Sequence, residues 1–314
     1  VIVMTYVLRR VAATLPVMAV VAILVFLLIH LSSGDPAALI AGDTATAEDI
    51  ARLRGVLGLD QPLWSQFLLW IGRLSGGDLG TSIFTGVPVA SLLAQRLEPT
   101  LSIALLTMTL AVLISVPLGV LAAHKAGSWV DRLVMIFAVL AFSTPVFLVG
   151  YLFIYGFAIK LGWLPVQGYV SLGKGFWPWL SHLILPCVNL SLVYIALLTR
   201  MTRATVLDVL HEDYIRTARA KGLGVVAVLG HAVRNAAIPI VTTVGVGIAF
   251  LIGGVVVSET VFAIPGVGRL VIDSVQRHDY PVIQSVLLLS AGMYVLINLL
   301  IDLSYRLFDP RIRA

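Results

Sequence analysis

Charge is scarce in this 314-residue chain. Asp, Glu, Lys and Arg make up 12% of it and hydrophobic residues 59%, whereas an ordinary soluble domain carries roughly 25% charged residues. The mean hydropathy is +1.02. A soluble globule of this size is excluded, because too few polar residues remain to cover a surface in water. Cysteine is nearly absent as well: Cys187 stands alone inside an apolar stretch. That excludes a disulfide framework, a CxxC redox pair and a thiolate metal cluster, and leaves a small core residue. The six histidines, at 30, 124, 182, 211, 231 and 278, show no HxxH or HxxxH spacing, so no metal site is expected.

The shortage of charge is concentrated. No Asp, Glu, Lys or Arg falls within 11–34, 99–123, 133–159, 175–199, 235–258 or 280–301, six runs of 22 to 27 residues. Each exceeds the ~20 residues that a helix needs to cross the hydrocarbon of a bilayer. Thirteen of the 21 Lys and Arg residues sort to one side of six alternating spans, including Arg9, Arg10, Lys125, Arg132, Arg200, Arg203, Arg216, Arg219 and Lys221. The positive-inside rule makes that side cytoplasmic, with both termini inside. The net charge of +5 then reports orientation rather than a nucleic-acid partner. Arg9 and Arg10 precede an apolar run too long for a signal peptide, so the first run reads as a retained span.

Ion-coupled carriers, pumps and voltage sensors generally need intramembrane charge, which these runs lack. They carry instead neutral polarity and helix-breaking residues: Pro117 with Gly119, Ser143-Thr144-Pro145, Pro186 with Asn189 and Ser191, and Asn298. Such features are compatible with a translocation path. The fifth run has Gly245, Ala249 and Gly253 at i, i+4 and i+8, a stripe that permits close helix approach; packing explains it, with gating or a dimer contact as the alternative. Ser143, Thr144, Asn189, Ser191, Gly245, Ala249 and Gly253 are the candidate path residues.

Between the first two runs, residues 35–98 form an external segment with helix grammar. Thr46-Ala-Glu-Asp49 fits a capping box, and Asp60 is expected to cap a second helix opening at Pro62. Trp64, Phe67, Leu68 and Ile71 predict one apolar stripe, and Gly76-Gly-Asp-Leu-Gly-Thr-Ser82 a turn. A packed cap and a docking surface for an external partner both fit. Gly168–Gly175 matches the first seven positions of a P-loop, but Gly175 stands where the magnesium-binding Ser or Thr belongs and no strand precedes it. No ATP site, Ser-His-Asp order or HExxH is recognisable, so no cofactor and no enzymatic activity are expected of this chain.

The inside loop 200–238 is different in character. Glu212-Asp-Tyr-Ile-Arg-Thr-Ala-Arg-Ala-Lys-Gly222 reads as a short helix, acidic at its start, basic at its end, closed by a glycine in the left-handed region. Ala218 and Ala220 keep its surface low. A low, basic, rigid knob suits a groove on another protein.

In this loop the chain resembles the membrane subunits of ABC importers, whose hallmark is a coupling helix: Arg216-Thr-Ala218 stands where the family consensus has Glu-Ala-Ala, with Gly222 in place. The distant Pro239 and the run Asp213–Gly222 resemble the peptide and nickel branch, and most of all its B-type dipeptide permeases. Arg9-Arg10, Gly34-Asp-Pro36, Gly77–Ser82, Thr199–Arg203, Glu259–Arg269, Gln276–Pro281 and Asp309–Arg313 carry the resemblance along nearly the whole chain. It implies an all-α integral membrane protein of the bacterial inner membrane with three parts: a tail and first span (1–34), the external helical segment (35–98), and a five-helix permease core (99–314). It further implies a second homologous permease, two cytoplasmic ABC ATPases that bind ATP and magnesium, and an extracytoplasmic binding protein. Glu212, Asp213, Tyr214, Arg216, Ala218, Arg219, Ala220, Lys221 and Gly222 would then couple to the ATPases. The expected cargo is short peptides, with nickel, glutathione or another small ligand as the alternative. A secondary transporter or a six-span channel is the rival from another class, marked by intramembrane charge or a filter-like loop.

Overall fold

The computed structural model describes residues 2–31, 37–38 and 46–308. Gly34-Asp-Pro36 and Asp309–Arg313, the side chains of Arg9 and Arg10, and the surroundings of Gly253 lie outside the described residues. Among those described, structure is helical apart from one isolated bridge between Thr81 and Pro88. Chain contacts divide the protein into two compact units, Val1–Leu97 with Leu270–Val295, and Glu98–Arg269 with Leu296–Ala314.

The first unit contains α1 (Ile2–Leu31), α2 (Ala47–Leu57), α3 (Leu63–Ser75), the start of α4 (Val89–His124), most of α11 (Val267–Gln276) and the first half of α12 (Tyr280–Phe308). The expected capping box forms: Thr46 Oγ1 accepts from the Asp49 amide while Asp49 reaches back to the Thr46 amide. The Thr46 hydroxyl, donating to the carboxylate, holds Asp49 below its ordinary range. Asp60 caps nothing. Pro62 occupies the N-cap position of α3 with no side-chain bond. The apolar stripe of α3 is also rotated from expectation: Trp64 and Leu68 are exposed, while Phe67, Trp70, Ile71 and Leu74 turn toward α1. Phe67 meets Phe26 edge to face at 5.3 Å, and Trp70, Ile71 and Leu74 pack on Ala22, Val25 and Leu288. These four fall at i, i+3, i+4 and i+7, the expected helical period with the stripe moved three residues along the chain.

Two of the segments that carried the resemblance meet in this unit. Ser82 Oγ donates to Asp279 at 2.5 Å, the Ile83 amide donates to the other carboxylate oxygen at 3.1 Å, and Arg277 lies 4.0 Å over the Phe84 ring. The turn after α3 is thereby fastened to the loop before α12.

The second unit holds the rest of α4, α5 (Trp129–Ser143), α6 (Val146–Phe153) with a π-helical turn at Ile154–Lys160, α7 (Phe176–Leu210), α8 (Asp213–Ala220), α9 (Val225–Gly254) and α10 (Val256–Val261). Ile103 and Met108 of α4, Leu183, Leu190 and Leu198 of α7, Leu251 of α9 and Ile264 build one core, in which Cys187 is buried as expected. Gly119 lets α4 approach α7, since a Cβ there would stand 2.6 Å from that of Thr202. Large apolar side chains such as Leu105, Leu113, Leu140, Trp177 and Phe250 are left exposed, the arrangement that suits contact with lipid rather than water.

Among the described residues five helices are long and apolar enough to cross a membrane, and a sixth crossing exists if a bent pair counts as one. That pair corrects the expectation of an uninterrupted third span at 133–159: α5 and α6 meet at 96° across Thr144-Pro145. Pro145 has no N–H to give and disfavours helical geometry at Thr144, so the axis turns there. Pro117, Pro186 and Pro239 are by contrast accommodated within α4, α7 and α9.

Candidate coupling helix and path residues

Glu212 precedes α8 in extended geometry and Asp213 opens it; Arg219 lies in its last turn. The helix ends in a Schellman arrangement: the Gly222 amide donates to the Arg219 carbonyl at 2.9 Å, the Leu223 amide to the Ala218 carbonyl at 3.2 Å, and Gly222 has φ 82°. The predicted charge order and glycine stop are both present.

Sequence reasoning missed what holds this helix. Ile215 is fully buried, against a cluster that includes Val206, Leu210, Val228, Ala232 and Ala236 from α7 and α9. Asn235 of α9 donates a hydrogen bond to the Tyr214 hydroxyl. Ile215 is the one large aliphatic residue in α8, a signal that was available. Around that anchor Glu212, Asp213, Tyr214, Arg216, Arg219, Ala220, Lys221 and Gly222 are exposed and Ala218 half-buried. Arg216 pairs with Asp213 at 3.1 Å in the open, where such a pair adds little stability. Arg219 also borders a cavity of about 340 Å³ with His124, Leu210, Val225 and Val228. The helix is held by the Ile215 anchor and the Tyr214–Asn235 bond and presents the rest of its surface.

The candidate path residues separate. Thr144 and Asn189 come together on one cavity of about 180 Å³ at the α5–α6 corner. The Thr144 hydroxyl donates to the Leu140 carbonyl at 2.8 Å, while Ser143 ends α5 and is exposed. Ser191 is buried and donates to the Val188 carbonyl. Ala249 is a core residue, and a Cβ on Gly245 would overlap the side chain of Ile301. Those three positions serve helix packing.

A buried carboxylate also escaped notice as a structural centre. Glu259 of α10 is fully buried, accepts from Thr100 Oγ1 at 2.6 Å and from the Arg269 amide at 2.8 Å, and the Val267 amide donates to the same Thr100 oxygen at 2.8 Å. Gly266 leaves the space its carboxylate fills. The motif Glu259–Arg269 is thus a loop folded back on its own acid.

The family model described as binding-protein-dependent transport system inner membrane component matches residues 115–314, and the N-terminal model of the same systems matches 3–104. The chain belongs to this family. The permease is 55% identical to a probable peptide ABC transporter permease protein of Sinorhizobium fredii, over 98% of this chain and 99% of that one. It is 45% identical to a glutathione transport system permease protein of Escherichia coli, over 99% of both. A putative peptide transport system permease of Brucella abortus is 44% identical over 98% of each chain. Among solved structures, an inward-facing methionine ABC transporter chain superposes with a TM-score of 0.58 at 19% identity, covering 70% of this permease and 97% of that chain. This last likeness is one of fold.

Proposed function

We propose that this permease is one half of the translocation path of an ATP-driven importer for short peptides, dipeptides or oligopeptides. The observation that carries the reading is full-length identity of 44–55% to permeases named for peptides and, in one case, for glutathione, itself a small peptide. Its partners would be a second homologous permease, two ABC ATPases that hold ATP and magnesium, and a binding protein on the far side. The termini and α8 would face the cytoplasm. An exposed, basic-ended helix with one buried anchor can transmit a push from an ATPase groove into α7 and α9, because Ile215 is packed between residues of both. Alternating access then needs two arrangements of the membrane helices with similar free energy, biased by ATP on one side and the loaded binding protein on the other.

The test is deletion of this chain in its native host, with uptake of a radiolabelled dipeptide and tripeptide measured beside nickel accumulation. Loss of peptide uptake with normal nickel is expected. Normal peptide uptake with lost nickel would put the other cargo of the branch first.

A further inference from the structure

Asn189 lies thirteen residues beyond the first residue of the 35-residue helix α7. It is 1% exposed, and neither its Oδ1 nor its Nδ2 has a hydrogen-bond partner. Burying both halves of a carboxamide unpaired is strongly unfavourable, and each such group in a native fold calls for a reason. The other unpartnered buried groups are single hydroxyls, of Thr107, Ser115, Thr199, Thr202 and Ser258. Among the described residues Asn189 alone leaves two separate polar atoms without a partner.

Its surroundings are built around it. Asn189 lines the cavity at the α5–α6 corner, whose other walls include Phe137, Leu140, Val149 and Val193, with Thr144 at the break. A Cβ on Gly150 of α6 would stand 3.0 Å from Asn189 Nδ2, so the glycine makes room for the carboxamide. Interrupted helices with unspent polar groups are tolerated inside a membrane where they border a cavity or a ligand.

We infer that Asn189 is a subsite for the backbone of one extended residue of the transported molecule, Oδ1 accepting from that residue's N–H and Nδ2 donating to its C=O. The inference rests on the peptide reading above. Within one trans peptide bond the N–H and C=O point in opposite directions, but the N–H and C=O of a single residue in extended backbone face the same side, a donor and an acceptor that match what the carboxamide leaves unused. The apolar walls suit a neighbouring aliphatic side chain and hold no charge for either terminus, so the contact reads the backbone and not the sequence. A nickel ion would find there one neutral amide, a Thr144 hydroxyl already bonded to the Leu140 carbonyl, and a hydrocarbon wall, a poor ligand set. At about 180 Å³ the cavity is smaller than the ~300–1,000 Å³ of a typical ligand pocket. It therefore takes one residue and its flanking amide in passage.

The importer purified with its native partners and reconstituted in vesicles tests this with radiolabelled trialanine, read as peptides delivered per ATP hydrolysed. Asn189→Ala is expected to lower that ratio roughly five- to tenfold, the loss of two neutral hydrogen bonds, and Asn189→Ser, which keeps a donor and an acceptor, to recover part of it. Wild-type uptake with an unchanged ratio in Asn189→Ala would overturn the subsite and leave the peptide reading standing. Failure of both variants to assemble would make Asn189 an assembly contact and overturn it too. If the wild-type importer takes up no trialanine, the peptide reading itself falls.

Discussion

Arg203 grips Asp131 with two prongs, Nε to Oδ1 at 2.5 Å and Nη2 to Oδ2 at 2.7 Å. The aspartate also accepts from the Gly127 amide at 3.0 Å, and its own amide faces Ser128 Oγ. The side chains are 6% and 25% exposed, the aspartate the deeper. One pair therefore ties the first turn of α5 to α7, and its energy comes from geometry in a site with little water.

Removing either partner strands the other. Arg203→Ala and Asp131→Ala are each expected to destabilise by about 2–4 kcal/mol, with the double variant well short of the sum. Cys187 is the one cysteine and is buried, so a thiol-reactive fluorophore can report unfolding in detergent. Strict additivity of the two single effects would show that the pair contributes no coupling.

The Glu259 loop makes a sharper steric claim. A Cβ on Gly266 would overlap the carboxylate, and one on Gly268 would stand 2.6 Å from Val256 Cγ2. Gly266→Ala should cost about 2–3 kcal/mol or more, and Thr100→Val, which takes one donor from Glu259 and the acceptor of the Val267 amide, about 1–3 kcal/mol. The same thiol assay measures both. Unfolding of Gly266→Ala at the wild-type temperature would mean that the loop yields, and the crowding would carry no energetic weight.

The legibility of these features in sequence follows their range. Helix α8 was readable because its start charge, end charge and glycine are local signals. The apolar runs were readable because length and composition alone define them. The 96° corner was not: hydropathy is blind to the direction of a helix axis, and Ser143-Thr144-Pro145 reads as one more proline in a membrane, like Pro117, Pro186 and Pro239, which stay within their helices. Helix α3 misled for a different reason, since it is apolar on more than one face and periodicity cannot choose among them. The partnerships Asp131–Arg203 and Thr100–Glu259 join residues far apart in the chain, which spacing cannot announce.

Orientation is open to direct chemistry. The thirteen-to-eight distribution of Lys and Arg predicts that α8 is cytoplasmic. Single cysteines at Ser75 and Gln276, both exposed, should react with an impermeant maleimide from outside intact cells, and ones at Ala126 and Thr217, also exposed, only after permeabilisation. Ser274, in the same external stretch as Gln276, is 4% exposed and makes a poor reporter. The reverse pattern would invert the topology and move α8 out of reach of any ATPase.

Gly222 gives the most pointed test of coupling. Its φ of 82° lies where a β-branched residue is strained, yet no atom stands within 4 Å of where its Cβ would be. Inside this chain Gly222→Val therefore costs only backbone strain, about 1–2 kcal/mol, and leaves the Ile215 anchor in place. If α8 sits in an ATPase groove, the strained exit from the helix should change its presentation: transport should fall at least tenfold while membrane insertion and Cys187 protection remain near wild type. Gly222→Asn separates strain from contact, because asparagine enters the left-handed region more readily; it should restore most transport if backbone geometry is what matters, and little if the added side chain meets the partner. Stimulation of ATP hydrolysis by loaded binding protein, measured on the assembled importer, tells lost docking from lost coupling. A solvated basic loop, the plain alternative for residues 212–222, would leave Gly222→Val and Arg219→Glu both silent, and full transport in both would remove the basis for assigning α8 to an ATPase.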